Sequence, residues 1–299
     1  MRILLTGATG RLGSVVCRQL VEHGNDVVAA DALYRSDLPV RLHVVSLLDR
    51  MAVYPLVAGC QAVVHLANHP DMNRGLMPQV VYAENVTTDA NVFQAAMDAG
   101  VRQIVFSSSV QVTSGARYGA DDVVKPSCMA YLPGDGALPP VCPNLYALGK
   151  RTAENMLNHY AAVDPGRSYT AIRFPWLVRG IAQVLPPGQT TVHPGKLDEL
   201  FSCLAHADAA AFIRAVLAAN RPGYACCFPA SRLNRLGWSV PEIVKTFYPQ
   251  VPLRRPLAEM KTLVDLDGLR ANYGWEAQQV FDFPHLKVAG VPDPLPDRT

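Results

Sequence analysis

An α/β fold built on a doubly wound parallel sheet is predicted by three features of the 299-residue chain. Short Val/Ile/Leu-rich runs alternate with amphipathic stretches, a glycine-rich turn joins the first run to the first helix, and three serines close a run that otherwise reads as buried strand. Continuous apolar runs mark strands covered on both faces, and helices between them mark right-handed crossovers. Together they place helices on both sides of a parallel sheet.

Taken in order, RILLTG is the first strand, residues 11–23 form an amphipathic helix, and DVVAAD and LHVVSL are the next two strands. A helix-like run at 50–58 leads to the strand AVVHLAN, and a long helix is expected over about 79–99. QIVFSSS, a helix carrying Tyr146, and YTAIRFP complete the alternation, so residues 1–175 are read as the nucleotide-binding unit. After about residue 176 the pattern weakens. Residues 176–299 are expected to be mostly a small substrate-binding region, with some elements returning to the core. ADAAAFIRAVLAA is a helix candidate there, and the Pro and Gly of 222–256 suggest loops and short elements capping the sheet. The irregular stretch 115–143 is long for a compact domain, and is either a lid or binding loop or a floppy connection.

Composition narrows the function classes. With 49% hydrophobic and 17% charged residues the chain can bury a large core. A formal charge of +2 and scattered Lys and Arg offer no nucleic-acid surface and no anionic-membrane surface. No apolar run is long enough to cross a bilayer and no secretion signal is recognisable, so a soluble protein is expected. Seven cysteines without a CxxC pair or a histidine at ligand spacing support neither a disulfide framework nor a zinc site, and fit a reducing cytoplasm.

TGATGRLG supplies Gly7, Gly10 and Gly13 directly after a strand and at the opening of a helix. The first glycine permits the tight turn, the second lets backbone approach a pyrophosphate, and the third allows helix and strand to pack closely. Exposed N–H groups at the helix start then meet the phosphate charge. Thr9, Arg11 and Leu12 lie between these glycines and join them as cofactor contacts. Asp31, eighteen residues beyond Gly13 at the end of the second strand, is placed to accept hydrogen bonds from an adenosine ribose. It would repel the extra phosphate of NADP, so NAD is favoured. Against this stand a solvated loop role for Asp31 and a nearby Arg35 able to pair with a phosphate.

Tyr146 and Lys150 sit four apart, a spacing common on any helix face. FSSS puts hydroxyls at the carboxyl edge of the sheet, where ligands of this architecture bind, and that gives the pair a chemical use. A phenol is a poor base at neutral pH, and a neighbouring ammonium favours its ionised form.

Together TGATGRLG, Asp31, HLAN at 65–68, the FSSS strand and YALGK resemble the extended short-chain dehydrogenase/reductase family, the NAD-dependent epimerase/dehydratase group. HADAAAFIRAVL and DLDGLRANYGW are similar to its C-terminal elements, so the resemblance covers nearly the whole Rossmann-like chain. It implies an enzyme in which Tyr146 is the general acid/base and Lys150 positions the nicotinamide ribose and tunes the tyrosine. Ser109, with Ser108 as fallback, would hydrogen-bond the reacting oxygen. The implied step has Tyr146 taking a hydroxyl proton while hydride passes to NAD. Leu47 near the adenine, and Leu66 and Ala67 at a strand end passing the cofactor, are carried over too, although Ser46 stands where the family often has an acid and plain core packing also explains Leu66 and Ala67. The resemblance further implies a homodimer through residues 79–99 and 144–162.

Departures from the family pattern bear on the substrate. Val110 and Gln111 follow Ser109 where sugar-nucleotide dehydratases carry Asp-Glu, which argues against dehydration. Pro175 and Trp176 replace the asparagine with which many epimerases grip substrate phosphates, and the polar pair of uronate dehydrogenases is absent after Ser109. Asn68, His69, Gln111, Thr113, Trp176 and His206 are the candidates for lining a substrate pocket, from their places at strand ends. The leading expectation is an NAD-dependent oxidoreductase or epimerase acting on a hydroxyl or carbonyl of a sugar or nucleotide-sugar-like small molecule. The alternatives are a dehydrogenase or reductase of a free sugar acid or non-sugar alcohol or ketone, and a dinucleotide sensor without chemistry.

Overall fold

β1 (Arg2–Thr6) runs through the middle of the sheet, its pleat sending Ile3 and Leu5 into one core layer and Leu4 into the other. The computed structural model describes residues 1–70, 75–114, 129–185, 188, 190–192 and 199–291. After β1 come α1 (Arg11–Glu22), β2 (Asp26–Asp31), β3 (Leu42–Val44), α2 (Arg50–Val57), β4 (Ala62–His65), α3 (Pro78–Asp98), β5 (Gln103–Ser109), α4 (Leu145–Val163) and β6 (Ser168–Phe174). The remainder holds β7 (Trp176–Val178), α5 (Ile181–Val184), β8 (Thr191–Val192), β9 (Cys203–Ala205), α6 (His206–Ala219), β10 (Gly223–Cys227), α7 (Val240–Phe247), α8 (Asp267–Tyr273) and β11 (Lys287–Val288).

Seven strands pair in the order β10-β6-β5-β4-β1-β2-β3, and every pairing is parallel. The chain winds outward from β1 to β3, then crosses back to β4 and winds the other way. The carboxyl ends of β1 and β4 therefore part at a switch point, the place where such sheets hold ligands. One apolar layer joins α1 and α6 to the sheet through Val16, Leu20, Phe212 and Val216. The other joins α2, α3 and α4 through Val53, Phe93 and Leu157. Each such side chain removed from water stabilises the fold by roughly 1.5–3 kcal/mol.

A third apolar cluster gathers Leu200, Phe201, Trp238, Ile243, Phe247 and Val264 from the C-terminal part with Met129, Leu132 and Leu138 from the earlier irregular stretch. Residues 129–138 are thus a packed wedge, tied by Leu132 N–H to Pro252 O and by Gly134 N–H to Leu263 O, both at 2.9 Å. Residues 115–128 of that stretch lie outside the described residues.

Two expectations need correction. LHVVSL pairs only over Leu42–Val44, because it is an edge strand with one neighbour and two exposed side chains. The segment GYACC, read as part of a loop-rich cap, is instead the outermost strand beside β6. Five residues opening on glycine give too little periodicity to mark it. Among the described residues no helix is long and apolar enough to cross a membrane.

Candidate active site

The glycine turn is shaped by contacts that exclude a Cβ. Gly7 has φ +69°, and a Cβ there would lie 2.7 Å from the backbone N of Ala67. At Gly13 a Cβ would meet Gly7 O at 1.9 Å, so glycine alone lets α1 start this close to the end of β1. Gly10, by contrast, would meet only Gly7 O, at 3.1 Å, and is exposed on its outer side. No side chain among the described residues caps α1, so its first N–H groups face outward beside exposed Arg11. Anionic ligands suit that arrangement. Leu12 turns inward, into the core.

Asp31 reaches the same turn. One carboxylate oxygen accepts from Thr9 N–H at 3.0 Å and the other from Leu33 N–H at 3.1 Å. Arg35 donates to Thr9 O at 3.1 Å, while the rest of its guanidinium forks onto Asp37, which Arg18 also meets at 2.8 Å. Across the crevice, Leu66 and Ala67 are half-buried and donate their N–H groups to the Thr6 hydroxyl at 3.3 and 3.4 Å. Leu47 packs into the core, its carbonyl accepting from Asn91 at 2.9 Å.

The serines at the end of β5 separate by the pleat. Ser108 donates its hydroxyl to Glu154 Oε1 at 2.6 Å, inside the layer between sheet and α4. Ser109 points to the other side, where its Oγ accepts from Gln111 N–H at 3.2 Å and starts a 3-10 turn over Val110–Val112. α4 begins at Asn144, whose side chain accepts from Ala147 N–H at 2.9 Å. That cap fixes the first turn, which carries Tyr146, and Lys150 follows one turn later. Both are buried, with Lys150 only 4% exposed.

Lys150 Nζ lies 5.8 Å from the centroid of the Tyr146 ring and 4.7 Å from that of Phe106. It donates to Asn68 Oδ1 at 2.5 Å and to Ser107 O at 2.6 Å. Burial pulls the ammonium down from an ordinary 10.5 to about 8, against the attraction of Asp89 and Glu154. The structure therefore gathers the glycine turn, Asp31, Leu66, Ala67, Asn68, Ser109, Tyr146 and Lys150 around the carboxyl ends of β1, β2, β4 and β5.

Several residues of this neighbourhood escape a linear reading. His65 and Asp89, both fully buried, meet at 2.8 Å, and Asp89 also accepts from Asn68 at 2.9 Å. Glu154, four residues beyond Lys150, is clasped by Arg173 at 2.7 Å in a buried ion pair. A signal was present: Asp89 falls on the stripe of α3 that also carries Val81, Asn85, Val92 and Phe93, all buried, so a carboxylate sits on a core-facing stripe.

The remaining candidates are placed less centrally. Gln111 accepts from Asn144 at 3.4 Å, joining the end of β5 to the start of α4. Thr113 is interior, its hydroxyl donating to Val110 O at 2.8 Å. Trp176 opens β7 opposite Cys203, with the Arg235 guanidinium 5.0 Å from its ring. His69 pairs with Glu84 at 2.6 Å. His206 is buried at the start of α6. Burial holds its ring below the usual 6.5, helped by Arg179 and Arg11 and opposed by a hydrogen bond with the Val178 backbone.

A glycine turn between strand and helix, a carboxylate at the end of β2 and a buried Tyr/Lys pair occur in a chain that a family model matches. The model of the NAD dependent epimerase/dehydratase family covers residues 3–178. The chain belongs to this family. It is 30% identical over 182 residues to UDP-glucose 4-epimerase of Lactobacillus helveticus, covering 58% of this chain and 51% of that protein. It is 34% identical over 132 residues to 2-alkyl-3-oxoalkanoate reductase of Stenotrophomonas maltophilia, covering 41% of this chain and 39% of that protein. The chain thus spans about half the length, or less, of these two curated relatives. Among solved structures, UDP-glucose 4-epimerase from Bifidobacterium longum in complex with NAD+ and UDP superposes with a TM-score of 0.68 at 17% identity, over 94% of this chain and 95% of that one. The likeness is one of fold.

Proposed function

We propose that the protein is an NAD-dependent oxidoreductase or epimerase that acts on a hydroxyl-bearing or carbonyl carbon of a sugar-like substrate. The observation that carries this reading is Lys150, buried beneath Tyr146 at the sheet edge, in a chain of a family defined by NAD-dependent chemistry. Bound NAD supplies hydride acceptance and donation. Its pyrophosphate would rest on the turn formed by Gly7, Thr9, Gly10, Arg11, Leu12 and Gly13, its adenosine ribose on Asp31, with Leu47 toward the adenine and Leu66 and Ala67 alongside. A turn whose close approaches exclude any Cβ fits such a guest.

Tyr146 takes the proton from the substrate hydroxyl on oxidation and returns it on reduction. The ammonium of Lys150 favours the phenolate by charge. Ser109 hydrogen-bonds the reacting oxygen, a role for which Ser108 is ill placed because its hydroxyl is held by Glu154. Asn68, Gln111 and Trp176 border the substrate side, and Thr113 supports the turn from inside. NAD is preferred over NADP because Asp31, at the end of β2, would accept from a ribose hydroxyl and repel an added phosphate, while Arg35 is already neutralised by Asp37. All six described cysteines are free thiols, in keeping with a cytoplasmic setting. A homodimer through α3 and α4 is supported by exposed Met77, Leu148 and Val163 on those helices or at their ends.

A second reading, reduction of an apolar ketone, is supported by Val110. Directly after Ser109, it packs with Met129, Leu132, Leu138 and Phe201, and the relative of 34% identity is named as a reductase of 2-alkyl-3-oxoalkanoates.

The test is NADH and NADPH absorbance, with product chromatography, over free sugars, uronic acids, nucleotide sugars and 3-oxo acids, with Tyr146→Phe alongside. The expected result is turnover that requires Tyr146 and prefers NAD, with NAD binding retained in the variant. Substantial residual turnover in Tyr146→Phe overturns the assignment.

A further inference from the structure

We propose that Asp89 is a positioning residue of this site: it holds the Asn68 amide that seats Lys150, and it supplies the buried countercharge for that lysine's ammonium. The inference rests on the reading of Tyr146 and Lys150 above and extends it to residues outside the family's Tyr-x-x-x-Lys motif. Its basis is a continuous hydrogen-bonded chain through the interior. Lys150 Nζ donates to Asn68 Oδ1 at 2.5 Å, and Asn68 Nδ2 donates to Asp89 Oδ1 at 2.9 Å. The same oxygen of Asp89 meets His65 Nε2 at 2.8 Å, and His65 Nδ1 meets the Thr6 hydroxyl at 2.6 Å.

The donor directions follow from chemistry. A carboxylate only accepts, so Asp89 fixes which end of the Asn68 amide is nitrogen and turns its oxygen toward Lys150. His65 Nε2 then donates to Asp89, and in the neutral ring Nδ1 accepts from the Thr6 hydroxyl. Thr6 ends β1 and accepts the N–H groups of Leu66 and Ala67. The chain of bonds therefore runs from the lysine to the backbone that passes the glycine turn. His65 is further locked between Phe93 and Phe106, with ring centroids at 5.5 and 5.9 Å. Asp89 Oδ2 is buried and makes no hydrogen bond among the described residues. Its charge is thus compensated mainly through Oδ1 and by attraction across the interior, where a low dielectric strengthens it.

The charged and titratable groups around Lys150 are few. Tyr146 and Glu154 lie on its own helix, Asp89 comes from α3, His65 from β4, and Arg173 of β6 is committed to Glu154. Asp89 is therefore the carboxylate near Lys150 that no arginine among the described residues engages.

The test uses the cofactor-free protein, so its outcome does not depend on whether Tyr146 is catalytic. Lys150 is one of six lysines, and its Cε resonance is assignable by Lys150→Met in a 13C-lysine-labelled sample. Asp89→Asn keeps an oxygen for His65 and Asn68 but removes the charge. The Lys150 titration midpoint should fall by about 1–3 pH units, the range for an opposite charge close by. Moving the carboxylate next to the lysine, in Asp89→Asn combined with Asn68→Asp, should restore it. Asn68→Ala, which keeps the His65–Asp89 pair, should shift the midpoint less than Asp89→Asn does. An Asp89→Asn protein that is folded and less stable, with an unchanged Lys150 midpoint, overturns the proposal and leaves Asp89 a purely structural residue. If that variant does not fold, a Lys150 chemical shift unmoved by Asn68→Ala overturns it equally.

Discussion

Replacing Arg173 with methionine should destabilise the protein by about 3–5 kcal/mol, the loss seen when one partner of a buried ion pair is removed. Arg173 is 2% exposed and Glu154 fully buried. The guanidinium donates to Glu154 Oε1 at 2.8 Å, to Oε2 at 2.7 Å, and through Nη1 to Leu138 O at 2.7 Å. One arginine thus ties β6 to α4 and to the packed wedge of residues 129–138. Methionine fills similar space but leaves Glu154, among the described residues, with Ser108, a partly exposed Arg151 at 3.1 Å and a long contact from the Cys226 thiol at 4.0 Å.

Urea denaturation at neutral pH reads the loss directly. A thermal scan should show a fall of roughly 6–10 °C, at about 2 °C per kcal/mol for a chain of this size. A double variant, Glu154→Met with Arg173→Met, should cost no more than the single one, because the buried charge is gone. The pH dependence carries its own sign. Burial raises the Glu154 carboxyl, but Arg173, Ser108 and Arg151 outweigh it and hold it below 4.5. In the wild type its contribution is present above the unfolded value and lost on acidification. Without Arg173, burial wins and the folded variant takes up a proton early. The gap between the two proteins should therefore narrow as pH falls from neutrality toward 4.5. A loss under about 1 kcal/mol, or single costs that simply add in the double variant, would refute the reasoning.

Two other predictions test the site. Gly13→Ala forces a Cβ to 1.9 Å from Gly7 O, so α1 must move off the turn. Calorimetry should show NAD affinity reduced at least about tenfold, with roughly 1–3 kcal/mol lost in stability, while Gly268→Ala in α8, where a Cβ meets nothing within 4 Å, should be neutral. Lys150 titrates at about 8 when folded and near 10.5 when unfolded, so the unfolded chain binds more protons between these values. Measured by urea denaturation, wild-type stability relative to Lys150→Met should rise across that window by on the order of 3 kcal/mol; a flat difference would refute the buried titration.

The sequence by itself determined the parallel sheet, the glycine turn and the Tyr/Lys helix, because each rests on local rules. Apolar runs predict strands, a glycine between strand and helix predicts a phosphate-accepting turn, and four-residue spacing predicts a shared helix face. The tertiary structure decided what those elements meet. That Ser108 serves Glu154 while Ser109 turns to the other side of the sheet follows from the pleat of β5 against α4, and three serines in a row do not reveal it. Lys150 bonds to Asn68 from 82 positions away, and Asp89 reaches both Asn68 and His65, because the order β5-β4-β1 brings these strand ends side by side. The strand Gly223–Cys227 joins the sheet only because β6 offers an open edge. Periodicity encodes which side chains turn inward, whereas the partner each one finds there depends on how distant elements pack.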